Sequence, residues 1–159
     1  MARPPVPPES LETIMTLRVE LDRGRALEIG WVPLGRRTLT PVAGGRFDGE
    51  RVSGEVLGHG DDASLELVDG SRTIDLRAVL RTADGALIRT RCRGRFEASE
   101  ATAFELLAGE PVEPARYALH VGCRFECGDA RYDWLNRVQG LGCGRFEGGH
   151  TVYRVVAPP

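Results

Sequence analysis

The sequence predicts an all-β protein, a closed antiparallel β-barrel of about eight strands with one short helix. Apolar and polar residues alternate with period two over long stretches. Gly-containing turn signals separate those stretches. One short helix cannot cover two open sheet faces, whereas closure removes the edges and buries one face of every strand. A two-sheet sandwich is the main alternative.

Residues 1–10, MARPPVPPES, are Pro-rich and are expected to form an extended, mobile tail, leaving 11–157 as a single barrel domain. In MTLRVELD, Met15, Leu17, Val19 and Leu21 share one face, and Thr16, Arg18, Glu20 and Asp22 the other. ALEIGW continues the pattern with Leu27, Ile29 and Trp31. TIDLRAVLR sets Ile74, Leu76, Ala78 and Leu80 against Asp75, Arg77, Val79 and Arg81. YALHVGCRFEC sets Tyr117, Leu119, Val121, Cys123, Phe125 and Cys127 against Ala118, His120, Gly122, Arg124 and Glu126. Turns are expected at Asp48-Gly49, Asp69-Gly70 and Asp84-Gly85, and in GHGDD. Ser99 to Gly109 reads as the one helix, with Ser99 as N-cap, Phe104 and Leu107 on one face, and Gly109 at the stop.

The turn TADGA shows how register decides face. A two-residue Asp84-Gly85 loop would place Arg89, Arg91 and Arg93 on the face of Ile74 and Leu76. A three-residue loop with Gly85 in the left-handed region sets Ile74, Leu76, Ala78 and Leu80 beside Ile88, Thr90 and Cys92 instead. Asp75 then lies opposite Arg93 and Arg77 near Arg91, which keeps the faces chemically separate. The stripe Arg89, Arg91, Arg93 and Arg95 reads as a solvated face balanced by acids, with anion binding as the alternative.

A chain of 159 residues with 42% apolar and 28% charged content is long enough for one domain with a substantial core. A net charge of −2 argues against a general nucleic-acid binder. The 21 basic residues are all Arg, which excludes lysine Schiff-base chemistry. No run has the character of a signal peptide or membrane span, so a cytoplasmic protein with reduced cysteines and no membrane partner is expected. Cys123 and Cys127 are four residues apart, about 13 Å along a strand, too far to share a zinc ion. With His59, His120 and His150 scattered and no phosphate loop, neither metal nor cofactor is expected.

Four of the five Phe sit in an Arg-Phe-acid triplet: Arg46-Phe47-Asp48, Arg95-Phe96-Glu97, Arg124-Phe125-Glu126 and Arg145-Phe146-Glu147. Irregular spacing excludes a repeat architecture. On a strand, Phe points one way and both charges the other. Phe then packs inside with an outer belt of ion pairs, or the charges line the lumen; the pattern leaves both open.

The blocks PVAGGRFDGERVSGEVLGHGDD, IDLRAVLRTADGALI, LLAGEPVEPARYAL and RFECGDARYDWLNRVQGLGCG occur in this order. Together they resemble an uncharacterised bacterial and fungal family, domain of unknown function 3237. The matching positions are Phe47, Gly54, Asp62, Asp75, Arg77, Asp84, Gly85, Phe125, Trp134, Leu135, Asn136 and Arg137. Family members often carry Trp where this chain has Ala63. The resemblance implies a small barrel similar to allene oxide cyclase and dirigent-type barrels, which bind apolar molecules in the lumen and guide cyclisation or isomerisation.

A lumen enzyme of this kind needs few polar groups in an apolar cavity. Asp75 and Glu126 are the candidate acid and base, and Arg77 or Asn136 the candidate holder of a carbonyl or enolate oxygen. Phe47, Asp62, His120, Phe125 and Trp134 are candidate substrate-binding residues. His120 and Glu126 share a face but lie about 20 Å apart along a strand, so they form no dyad. The competing roles are structural: an exposed Asp75 paired with Arg93, and Asn136 bonding to backbone in a turn. The expected function is binding of an apolar or carbonyl-containing small molecule, with cofactor-free isomerisation or cyclisation by acid/base catalysis. A lipocalin-like carrier and a structural module with a filled lumen are the alternatives. A homo-oligomer is the expected assembly.

Overall fold

The computed structural model describes residues 10–159; apart from Ser10, the segment expected to be a tail lies outside them. Nine strands alternate along the chain: β1 (Glu12–Leu21), β2 (Leu27–Val32), β3 (Gly35–Asp48), β4 (Ser53–Glu66), β5 (Arg72–Thr82), β6 (Leu87–Ala98), β7 (Tyr117–Cys127), β8 (Gly140–Glu147) and β9 (His150–Ala157). Helix α1 (Glu100–Leu107) joins β6 towards β7, and a 3-10 segment, Ala130–Arg137, joins β7 to β8. Antiparallel pairing runs β1-β9-β8-β7-β6-β5-β4-β3, and β3 returns to β1 through Leu17↔Phe47 and Val19↔Gly45. Eight strands thus close a barrel. β2 pairs with the first half of β3 and forms a hairpin arm outside the closure.

The β5–β6 hairpin adopts the three-residue register. Asp75 pairs with Arg93, Leu76 with Cys92, Arg77 with Arg91 and Leu80 with Ile88. Gly85 takes φ +91°, and the Thr82 N–H donates to the Ala86 carbonyl, closing the turn. The register follows from burial. A one-residue slip would carry three Arg into the interior at a cost no core could offset.

The triplets resolve the same way. Phe47 and Phe125 are buried in the core, and Phe96 and Phe146 pack against it. The charges lie outside, and in three triplets the Arg pairs with its own acid two residues on: Arg46–Asp48 at 3.9 Å, Arg95–Glu97 at 3.2 Å and Arg145–Glu147 at 3.5 Å. Residues i and i+2 of a strand share a face, so the local pairing costs no chain entropy beyond the strand itself. In the fourth triplet Glu126 turns to Arg89 on β6, at 3.3 Å. These exposed pairs are each worth about 0.2–1 kcal/mol.

The two ends of the barrel differ. At the end where β5 finishes and β6 begins, the 3-10 segment seals the lumen. Leu135 is fully buried there, and Met15, Phe47, Leu80, Ile88 and Phe125 fill that half of the interior. Asn136 acts as a surrogate strand partner: its Oδ1 accepts from the Cys127 N–H at 2.8 Å and its Nδ2 donates to the Cys127 carbonyl at 2.9 Å. Asp84 ties the β5–β6 turn to the seal, accepting from the Tyr132 hydroxyl at 2.8 Å and from Arg131 at 2.7 Å. At the opposite end, inward-facing Leu21, Thr38, Thr40, Phe96, Tyr117 and Phe146 are all partly exposed. That end is open. There, Ser99 caps α1 by accepting from the Thr102 N–H, and Gly109 with φ +77° follows its last turn. Phe104 and Leu107 on this helix are exposed.

Candidate active site in the barrel interior

Register partners on neighbouring strands point to the same face. One such row crosses six strands: Thr40, Asp62, Leu76, Cys92, Cys123 and Gly140. Because Leu76, Cys92 and Cys123 are core residues, Asp62 is carried inward with them, and only 9% of it is exposed. Its Oδ1 accepts from the Asp75 N–H at 3.1 Å. Burial pushes its carboxyl up to about 6, against the lowering effects of that bond and of the Arg72 charge.

Tyr153 enters from β9, where it pairs with Leu17 on one side and Gly144 on the other. Strand β8 offers the interior glycine at 140, 142 and 144. A Cβ at Gly144 would lie 2.9 Å from Tyr153 Cε1 and 2.5 Å from Leu119 Cδ2, so the missing side chains make the room that the Tyr153 ring occupies. Tyr153 is 3% exposed, and its hydroxyl has no hydrogen-bond partner among the described residues. Burial drives the phenol well above its ordinary value. The charge of Asp62 adds to this, as do Cys92 and Cys123. The Cys123 thiol is itself pushed up, first by its hydrogen bond with Cys92 and then by burial. Cys123 is therefore a neutral thiol rather than a nucleophile.

The interior near the open end thus holds one carboxyl that titrates near neutrality and one phenol that stays protonated. The first exchanges a proton at physiological pH; the second donates a hydrogen bond to an oxygen that gains charge.

The four candidate catalytic residues lie elsewhere. Asp75 faces outward and is held by Arg91 through two 2.9 Å hydrogen bonds, with Arg77 at 3.8 Å. The Arg91 hydrogen bonds hold its carboxyl below the ordinary range. Arg77 and Glu126 are exposed on the outer surface, and Asn136 clamps Cys127 at the seal. Among the candidate binding residues, Phe47 and Phe125 are core, and His120 is exposed on the outside. Trp134 lies at the sealed end with the Arg51 guanidinium 3.8 Å above its ring. Asp62 alone of the nine reaches the interior near the open end. Two surface depressions of about 360 and 370 Å³ flank the β5–β6 turn, the first lined by Glu50, Arg51, Asp84 and Tyr132, the second by Glu55, Arg81 and Gly85. Asp84 is held low by bonds from Thr82 and Tyr132, and Glu55 is paired with Arg81.

Tyr153 escaped the sequence reading. The signal was present in two places: TVYRVV places Thr151, Tyr153 and Val155 on one face, and GLGCG leaves the neighbouring inward face bare. Only the β8–β9 register joins them.

Fold and site together define a closed eight-stranded antiparallel barrel whose largely apolar interior also holds Asp62, Tyr153 and the buried hydroxyl residues Ser64, Thr90 and Thr151. The chain belongs to the family described as Protein of unknown function (DUF3237), whose model matches residues 8–157. It is 33% identical over 129 residues to a UPF0311 protein of Rhodopseudomonas palustris (strain TIE-1), spanning 79% of this chain and 82% of that protein. Among solved structures it resembles a β-barrel-like protein from Acinetobacter baumannii, with TM-score 0.81, 30% identity and 98% of each chain covered. It is also similar to a conserved protein of unknown function from Rhodopseudomonas palustris, with TM-score 0.84, 24% identity, and coverage of 98% of this chain and 99% of that one. A protein described as an enzyme from Penicillium herquei shares the fold, with TM-score 0.67, 23% identity and 98% coverage of each chain. Among the described residues no helix is long and apolar enough to cross a membrane.

Proposed function

We propose that the protein binds an apolar, carbonyl-containing small molecule through the open end of the barrel and catalyses a cofactor-free isomerisation or cyclisation by proton transfer. The observation that carries this reading is the Asp62 carboxyl, buried in an apolar interior, titrating near 6 and facing an unpartnered phenol. Asp62 removes a proton from the carbon beside the carbonyl. The electron pair moves onto the carbonyl oxygen, where the Tyr153 hydroxyl donates a hydrogen bond to the enolate. Asp62 then returns the proton to a different carbon of the conjugated system, or the enolate closes a ring. No electrons enter or leave. The fungal neighbour described as an enzyme supports catalysis on this barrel, as fold analogy only.

The test uses 2-tetralone, an aromatic ketone with acidic protons beside its carbonyl, in D2O. Loss of the C1 proton signal by NMR should be accelerated by the protein, and the acceleration should disappear in Asp62→Asn. No acceleration with the native protein, together with binding of the ketone, would instead indicate a carrier.

For the assembly, we propose that the β2–β3 arm packs against a second copy. It exposes Leu27, Ile29, Trp31 and Leu34, with Trp31 73% exposed. Among the described residues β2 is the terminal strand of the sheet, with an edge available for pairing with its own copy. Light scattering after size-exclusion chromatography should show an oligomer that Trp31→Glu dissociates; a native monomer would overturn this.

A further inference from the structure

The rim of the open end carries a half-exposed cation beside an aromatic surface. Phe96, Tyr117 and Phe146 pack edge-on and tilted, with ring centroids 5.4 to 6.1 Å apart. All three remain partly exposed. The Tyr117 hydroxyl accepts from the Phe146 N–H at 3.0 Å, which fixes the ring and leaves its own proton free to donate. Arg72 opens β5 directly opposite Phe96, on the inward face that continues through Ile74 and Leu76. Its only ion pair among the described residues is with Glu66 at 3.6 Å, and its side chain is 37% exposed. Register puts it on the same face: Arg72 pairs with Glu66 on β4, four residues along that strand from Asp62.

We infer that this rim selects the ligand: the substrate class is an aryl carboxylate or similar planar acid. Its ring stacks on Phe96 and Phe146, and its anionic group pairs with Arg72. The inference rests on the lumen being a ligand site, as proposed above. A guanidinium with free N–H groups takes a carboxylate through two parallel hydrogen bonds, and a fixed aromatic surface supplies area at little entropic cost. The carboxylate stays at the rim because the interior already holds Asp62, and two carboxylates near one another repel. The reacting carbonyl is then the deeper end of the molecule, towards Asp62 and Tyr153.

The experiment titrates the native protein with 2-naphthoate, followed by the probe's fluorescence. Controls are the neutral 2-naphthamide and the non-aromatic cyclohexanecarboxylate. 2-Naphthoate should bind about tenfold more tightly than either control. Arg72→Gln should bring it to the level of the amide and leave the amide unchanged, and Arg72→Lys should restore part of the difference. Equal affinity for naphthoate and naphthamide, a loss on Arg72→Gln that affects both alike, or no naphthoate binding would each overturn the inference. The tetralone assay is run on the native protein with a ketone that carries no anionic group. Arg72-dependent naphthoate binding without tetralone exchange removes the catalytic reading alone. Exchange without naphthoate selectivity removes this inference alone.

Discussion

Asp62 and Tyr153 stand three strands apart one way round the barrel and five the other, yet the carboxylate charge of Asp62 raises the Tyr153 phenol across the interior. The strand ladders and apolar core hold the barrel together, and Asp62 adds one bond, from the Asp75 N–H, that needs an acceptor but no charge. A buried carboxyl is a cost that the fold bears, and such costs concentrate at working sites.

The cost has a definite pH signature. Asp62 titrates near 6 in the fold and near 3.8 in an unstructured chain, so between those values the folded state binds more protons than the unfolded one. Stability contributed at Asp62 is therefore highest below about pH 4, falls as pH rises through 6, and is then lower by about 3 kcal/mol. Asp62→Asn keeps the acceptor for the Asp75 N–H and removes the charge. Urea denaturation should find the variant more stable than the native protein at pH 8, with the difference vanishing towards pH 4. A difference independent of pH would show that Asp62 is not the group titrating near 6.

Tyr153→Phe removes one oxygen and keeps the ring. Tetralone exchange should slow by about 10² to 10³-fold, as for loss of an oxyanion donor. Thermal stability should hold, because the hydroxyl makes no hydrogen bond among the described residues that Phe would lose. An exchange rate equal to that of the native protein would remove Tyr153 from the reaction.

Gly144→Val tests the bare face of β8. The added atoms would meet Leu119 and Tyr153 at distances where something must move. Overpacking of this kind costs about 1–3 kcal/mol. The loss should appear as a lower denaturation midpoint, whereas a substitution at exposed Cys143, one residue away, should leave the midpoint unchanged within error.

Asp75→Asn and Asn136→Ala separate scaffold from site. Asp75 lies on the outer surface with Arg91, so its loss should cost at most about 1 kcal/mol and leave tetralone exchange intact. Asn136→Ala strips the Cys127 peptide of two bonds and should cost about 1–3 kcal/mol by denaturation, again with exchange retained in the folded fraction. Loss of exchange in folded Asp75→Asn would move the reaction to the outer surface and overturn the interior site.

Alternation and turn chemistry were enough to read the closed barrel and the β5–β6 register, because period two and a left-handed Gly85 are local properties of the chain; that Phe125 and not Glu126 faces inward was left to the structure. The site was less legible. Asp75 and Glu126 read as the acid and base and Asp62 only as a binding residue, although all three are carboxylates beside apolar residues. Which carboxylate loses its water depends on partners that are distant in sequence: Leu76 beside Asp62, and Arg91 beside Asp75. Asn136 was read on its chemistry, but its two bonds to Cys127 decide that it closes a backbone rather than holding an oxyanion. The sequence by itself determined which residues can face inward together along each strand. Tertiary structure decided which of those faces meet across the lumen, because barrel closure and the staggered strand register bring Tyr153 of β9 to Asp62 of β4, and no local pattern encodes that distance.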